Sequence, residues 1–131
     1  MSCPHGTLRI LDNNRLTGEI PDTIGIVQNL TLMIFCNNKL EGPLPNITGM
    51  SSLKYLDLSN NAFVSTDFFT MAFDYEEFNN IEANLSGQIP ADFFSLPSLQ
   101  HMVLSENHLN RTLNLVPNYS KKLQLIDLHS N

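Results

Sequence analysis

LSGQIPADFFSLPSLQHMVLSENHL, residues 85–109, carries leucines at uneven but patterned gaps, a Gly-x-Ile-Pro interruption and a closing asparagine. The spacing is too irregular for one helix and too long for one strand. It fits one unit of something that repeats, so the chain is best read outward from it in search of further copies. Aligned on Asn107, the frame returns. LTLMIFCNNKLEGPLP places Leu30, Met33, Phe35, Asn38, Leu40, Gly42, Leu44 and Pro45 in it. LKYLDLSNNAF supplies Leu53, Leu56, Leu58, Asn61 and Phe63, and LQHMVLSENHL supplies Leu99, Met102, Leu104, Asn107 and Leu109. LQLIDLHSN gives Leu123, Ile126, Leu128 and Asn131; LDNNRLTGEIP gives Leu11, Asn14, Leu16, Gly18, Ile20 and Pro21. The asparagine recurs 24 residues after Asn14, 23 after Asn38, 46 after Asn61 across two units, and 24 after Asn107.

This is the pattern L-x-x-L-x-L-x-x-N-x-L, the leucine-rich repeat. Its x-L-x-L core has period two, so it predicts a short strand with alternate side chains inward. Each unit lays its strand beside the last, and the inward leucines of one turn are buried only by the next. The recurring amide can donate and accept at once, which suits bonding backbone groups of neighbouring turns. Gly18, Gly42 and Gly87 fall where the chain must bend, and Pro21, Pro45 and Pro90 stiffen the return path. The expectation is an α/β solenoid: a right-handed coil with one parallel concave sheet, about 5.5 repeats, and a short 3-10 or irregular convex side. Residues 1–7 stay unassigned. Residues 8–131 form the repeat domain, with units near 8–29, 30–52, 53–74, 75–98, 99–122 and a partial 123–131. Two units are damaged. In 75–98, Asn80 stands where an inward leucine belongs and Ala83 replaces the ladder asparagine, so this turn is expected to be the weakest. In the first, LRIL before Asp12 has the wrong parity.

Composition narrows the function classes. The chain has 131 residues, 42% apolar, with a net charge of −6, which argues against nucleic-acid binding. Between Lys54 and Arg111 there is no Lys or Arg, while Asp57, Asp67, Asp74, Glu76, Glu77, Glu82, Asp92 and Glu106 all fall there. A solvated acidic face explains that run before a site for a basic partner does. No apolar run reaches the roughly 18 residues of a membrane-spanning helix, so no direct membrane insertion is expected. Catalytic patterns are not found. His5, His101, His108 and His129 lack metal-ligand spacing, Glu76 and Glu77 are adjacent and would point apart, and Cys3 and Cys36 form no C-x-x-C. No cofactor is implied. Cys36 falls at an outward strand position, as an incidental surface thiol. Phe63, Phe68, Phe69, Phe73 and Phe78 read as filler for the irregular turn.

LTGEIP, LEGPLP and LSGQIP carry the L-x-G-x-[IL]-P extension, and with it the chain resembles the ectodomains of plant leucine-rich-repeat receptor-like protein kinases. The similarity extends from Leu8 to the end, weakest at 64–84, and FFSLPSLQ, NRTLN and LQLIDL align it with subfamily VIII. The resemblance implies an extracellular solenoid ahead of a membrane span and a cytoplasmic Ser/Thr kinase. This chain has no Gly-rich loop with a following Lys, no H-R-D and no D-F-G, so kinase activity is not expected of it. The paired cysteines and Trp of that family's N-terminal cap are also missing, so Cys3 takes no such role. The chain is expected to be a piece of a receptor solenoid without leader or caps, its open ends favouring association. Five Asn-x-Ser/Thr sequons, at Asn29, Asn46, Asn84, Asn110 and Asn118, support passage through the secretory pathway, since chance would give roughly two. The competing readings are a secreted inhibitor of cell-wall-degrading enzymes and a non-functional truncated receptor fragment.

If the frame holds, side chains between the inward leucines project from the concave sheet in columns. One reads Ile34, Asp57, Asn79, Val103 and Asp127; the second Cys36, Ser59, Ile81, Ser105 and His129; the third Leu32, Tyr55, Glu77, His101 and Leu125. Their mixed character contrasts with the monotonous inward positions. Tyr55, Asp57, Ser59, His101, Val103, Ser105, Asp127 and His129 are therefore the candidate contacts for a peptide, protein or small-molecule ligand, with a co-receptor as further partner. Tyr55 and His101 are the leading anchors, being amphipathic rings. Plain solvation of these positions is the competing reading.

Overall fold

The computed structural model describes residues 7–64, 89, 92–109 and 119–131. Eight short strands follow one another: β1 (Thr7–Ile10), β2 (Thr17–Gly18), β3 (Leu30–Ile34), β4 (Lys39–Pro43), β5 (Tyr55–Asp57), β6 (Ala62–Val64), β7 (His101–Val103) and β8 (Leu125–Asp127). β1, β3, β5, β7 and β8 form one five-stranded parallel sheet in that order. These are the x-L-x-L segments, and their alternation sorts the side chains as expected. Leu30, Met33, Phe35, Leu53, Leu56, Leu58, Leu99, Met102 and Leu104 are buried, while the residues between them are partly exposed. The return path is irregular, with a 3-10 helix at Asp22–Ile26 and a single-turn helix α1 at Asp92–Ser95.

The architecture departs from the expectation in two respects. A second parallel sheet, β2-β4-β6, is built from the segments that follow each ladder asparagine. Gly18 and Gly42 do bend the chain, with φ of 80° and 78°, but they do so within strands. The second departure concerns the damaged unit. The sheet passes directly from β5 to β7, Tyr55 pairing with His101, Leu56 with Met102 and Asp57 with Val103. No strand stands between them, so the expected 5.5 repeats become about four turns. The substituted positions, Asn80 and Ala83, lie outside the described residues, as do Glu77, Asn79 and Ile81 of the expected columns. β7 carries the intact pattern and pairs with β5. The unit still fills the interior, because Ile89, Phe93, Phe94 and Leu96 are buried.

The asparagines hold successive turns together through one recurrent geometry. The Asn38 amide accepts from Leu16 N at 3.0 Å and donates to the carbonyls of Leu11, Phe35 and Cys36. Asn61 repeats this with Leu40 N and the carbonyls of Phe35, Leu58 and Ser59. Asn107 joins β7's turn to that of β5, accepting from Phe63 N and donating to the carbonyls of Leu58, Leu104 and Ser105. Asn131 closes the series on Leu109 N. Immediately before each ladder asparagine the backbone is left-handed, at Asn13, Asn37, Asn60, Glu106 and Ser130, with φ between 51° and 55°. This turns the amide back under the preceding strand. Asn tolerates the conformation best among residues with a Cβ, and three of the five positions use it.

Burial grades along the coil. Leu30, Met33, Leu53, Leu56, Leu99 and Met102 are fully enclosed, while Ile126 in the last strand is 42% exposed. In β1 the parity anomaly is real. A register shift after Thr7 sets Arg9 against the inward Met33, and leaves Leu8 and Ile10 outward beside Leu32 and Ile34.

Candidate functional site

The concave sheet positions the candidate residues in three rows. The first runs Leu8, Leu32, Tyr55, His101, Leu125, and the second Ile10, Ile34, Asp57, Val103, Asp127, both set by strand register. The third holds Cys36, Ser59, Ser105 and His129, aligned by backbone bonds from Asn37 N to Ser59 O, Asn60 N to Ser105 O and Glu106 N to His129 O. Asp12 heads it, because Asn13 N bonds Cys36 O.

All eight candidate residues therefore lie on the rows of one face, but Ser105, expected as a ligand contact, is buried at 4% exposure beneath it. Because β5 and β7 are neighbours, Tyr55 and His101 touch: their rings stand edge to face with centroids 5.4 Å apart. Sequence spacing had put Glu77 between them. Burial, reinforced by the nearby Asp57 and Cys36, pushes the Tyr55 hydroxyl pKa up, so it remains a donor. Asp57 Oδ1 accepts from Ser59 N at 3.0 Å and from Ser59 Oγ at 2.6 Å. The same D-x-polar turn recurs at the last strand, where Asp127 Oδ1 meets His129 N at 3.2 Å and His129 Nδ1 at 2.7 Å. His129 Nε2 lies 3.6 Å from Glu106 Oε1. The hydrogen bond with His129 holds the Asp127 carboxyl below its ordinary range, and the same contact raises His129.

Cys36 is a half-buried free thiol whose pKa is raised by burial first, then by the charges of Asp57 and Asp12. It is thus held as the weakly nucleophilic thiol rather than the thiolate. The paired side chains on this face have their hydrogen-bonding capacity turned to organising a surface: an edge-to-face ring pair, two braced carboxylates and flanking aliphatic side chains. Such an arrangement binds by shape, apolar contact and charge.

Sequence reasoning missed Leu8, Ile10 and Asp12 as members of the face. A signal was present for one of them: Asp12 stands two residues before its ladder asparagine, as Cys36 does before Asn38. Leu8 and Ile10 were masked by the parity of the first turn. Of the sequons, Asn29 and Asn46 are exposed, and Asn46 Oδ1 accepts from Thr48 N and from Thr48 Oγ1 at 2.7 Å. Asn84, Asn110 and Asn118 lie outside the described residues.

The leucine rich repeat family signature matches residues 52–72. The chain is 37% identical to a probable leucine-rich repeat receptor-like protein kinase of Arabidopsis thaliana, over 93% of this chain and 16% of that protein. It is 35% identical to the Arabidopsis receptor-like kinase TMK2, over 73% of this chain and 12% of that one. The chain thus spans less than a fifth of the length of the relatives it matches. Among solved structures, the PEPR1–AtPEP1 complex superposes with a TM-score of 0.68 at 29% identity, covering 90% of this chain and 14% of that chain. The Arabidopsis receptor kinase HAESA, in complex with the peptide hormone IDA and the co-receptor SERK1, superposes at 0.54 with 25% identity, covering 93% of this chain and 21% of its own.

Proposed function

We propose that this chain, which belongs to the leucine-rich-repeat family, is part of the ligand-recognition surface of a plant receptor-like kinase, on the extracellular side of the plasma membrane. The observation that carries the reading is the concave face itself, where strand pairing gathers the half-buried Tyr55, His101, Asp57 and Asp127 on one surface. The resemblance to receptor kinases supports it, as does the superposition on a receptor bound to a peptide hormone and a co-receptor. By that analogy the ligand is a peptide, and the rim of the solenoid meets a second receptor chain. Relatives that are receptors favour this over the inhibitor alternative. Kinase activity belongs to other parts of such a protein. Exposed Asn29 and Asn46 are glycan acceptors in this reading, on the return path or its entry into β3, clear of the concave rows.

The test is selection of peptides from an unbiased displayed library against the chain secreted from plant cells, with affinities measured for wild type, Tyr55→Ala and His101→Ala. The reading expects peptides whose binding falls about tenfold with either change while the circular dichroism spectrum is preserved, a loss of the size typical of an interface anchor. Binding that survives both changes, and is lost instead on altering the convex side, would overturn it.

A further inference from the structure

The concave face is chemically graded across its width. The first row, Leu8, Leu32, Tyr55, His101 and Leu125, is apolar and aromatic, with Leu8 55% and Leu125 47% exposed. Acids gather on the opposite side. Asp12 heads the third row. Asp57 and Asp127 belong to the middle row but accept from Ser59 and His129, which turns both carboxylates towards the third. Cys36, on the strand between Asp12 and Asp57, feels both of their charges. Arg9 is the one Lys or Arg on the five described concave strands; register sets it beside the inward Met33, and its exposed guanidinium donates to Leu8 O.

Asp57 and Asp127 lie on the third and fifth strands of the sheet, and Asp12 lies two residues beyond the first, level with Cys36; Glu106, beyond the fourth strand, is turned to His129. Neighbouring strands lie about 4.8 Å apart, so a carboxylate recurs about every 9.6 Å. A polyproline II chain advances about 3.1 Å per residue with three residues per turn, so the same edge returns after about 9.3 Å. An extended β-strand fails this match, because residues three apart point to opposite sides. A helix fails it too, since its nearest comparable repeat, seven residues, advances about 10.5 Å and drifts further at each step. In polyproline II the residues following the matched ones face a second edge about a third of a turn away, which would lie over the apolar row.

Building on the recognition role above, we propose that the concave face takes a peptide in polyproline II conformation laid along the solenoid axis. Its Lys or Arg side chains recur at every third residue against Asp12, Asp57 and Asp127, and its apolar side chains rest on the Leu8–Leu32–Tyr55–His101–Leu125 row. Reaching all three acids takes about seven residues. At Asp127 the ligand's cation shares the carboxylate with His129.

The experiment uses the whole chain and two fluorescein-labelled probes of identical composition, read by anisotropy. One is Arg-Leu-Pro-Arg-Leu-Pro-Arg-Leu-Pro; the other groups its three arginines at one end. The in-register probe is expected to bind about tenfold more tightly than its isomer. Asp12→Asn, Asp57→Asn and Asp127→Asn should each weaken it about 3-fold, and the triple variant about 30-fold, as exposed charge pairs do. Asn retains the acceptor oxygen that Ser59 N or His129 N uses, so folding is preserved. Equal binding of the isomers, or a triple variant that binds like wild type, overturns the proposal. The displayed library separates this failure from that of the recognition role. Selected peptides lacking spaced basic residues, yet lost on His101→Ala, would overturn the charge register alone. A library yielding no concave-face binder would overturn both.

Discussion

Replacing Asn107 with Ala tests the joint on which the shortened coil depends. Asn107 is 5% exposed and is the ladder amide that spans the damaged unit, bonding residues 44 and 49 positions earlier. Its four bonds are not equivalent. Leu58 O keeps Asn61, Leu104 O keeps Asn131, and Ser105 O keeps Asn60 N when the amide is removed. Phe63 N, whose side chain is fully buried, would lose Asn107 Oδ1 as its acceptor. Orphaning a buried N–H costs about 1–3 kcal/mol, and three weakened carbonyl contacts add a fraction each, so a loss of about 3 kcal/mol is expected. Asn14→Ala is the internal control. That amide is exposed and reaches only Leu11 O and Asp12 O within its own turn, so its loss should stay within about 1 kcal/mol. Urea unfolding followed by far-ultraviolet circular dichroism separates the two. At slopes of about 1–3 kcal/mol per molar, the Asn107 variant should lose at least about 1 M in its midpoint. Equal midpoint shifts for the two variants would refute the claim that Asn107 bridges β5 and β7.

Four further outcomes follow from the geometry. Glu106→Asn places the better left-handed residue at φ 53° and should raise stability by about 0.5–1 kcal/mol, read from the same unfolding curves. Gly25→Ala drives a Cβ into the backbone oxygen of Asn46, which cannot yield as a side-chain tip would; a destabilisation of about 1–3 kcal/mol is expected from thermal melts. The Asp127–His129 contact acts in a defined pH window. Asp127 is lowered, so its contribution is lost as pH falls through its folded value; His129 is raised, so its contribution is present below about pH 6.5 and lost as pH rises through its folded value. His129→Ala should therefore lower the melting temperature near pH 5.5 and leave it unchanged at pH 8.5, by a small amount because both groups are exposed. Material secreted from plant cells should shift in gel mobility on enzymatic glycan removal, and Asn29→Gln with Asn46→Gln should reduce that shift.

Much of this was legible because one repeat rule fixes several properties together. Leu30, Met33 and Phe35 announce the inward face, and the residues between them announce the concave rows, through nothing more than strand alternation. The ladder role of Asn38, Asn61 and Asn131 follows from what an amide can bond. The second sheet was hidden because Gly18 and Gly42 signal a bend, and a glycine at positive φ within a ladder leaves the same trace in sequence. Asn80 and Ala83 marked the weak unit. Its consequence, Tyr55 against His101, was not readable, since local pattern does not say which strand pairs with β5. The spacing of Asp57 and Asp127 emerges only with that pairing, because Asp127 falls on the fifth strand once β5 pairs with β7.

The direct pairing of β5 with β7 is the claim from which the site follows, and it can be measured without any ligand. In the isotope-labelled full chain, nuclear Overhauser effects between the Tyr55 and His101 rings report their separation. Centroids 5.4 Å apart and edge to face predict clear ring-to-ring cross-peaks. A strand inserted between them would set the backbones about 9.6 Å apart, abolishing those cross-peaks and giving Tyr55 contacts to residue 77 instead, and that result would contradict the account.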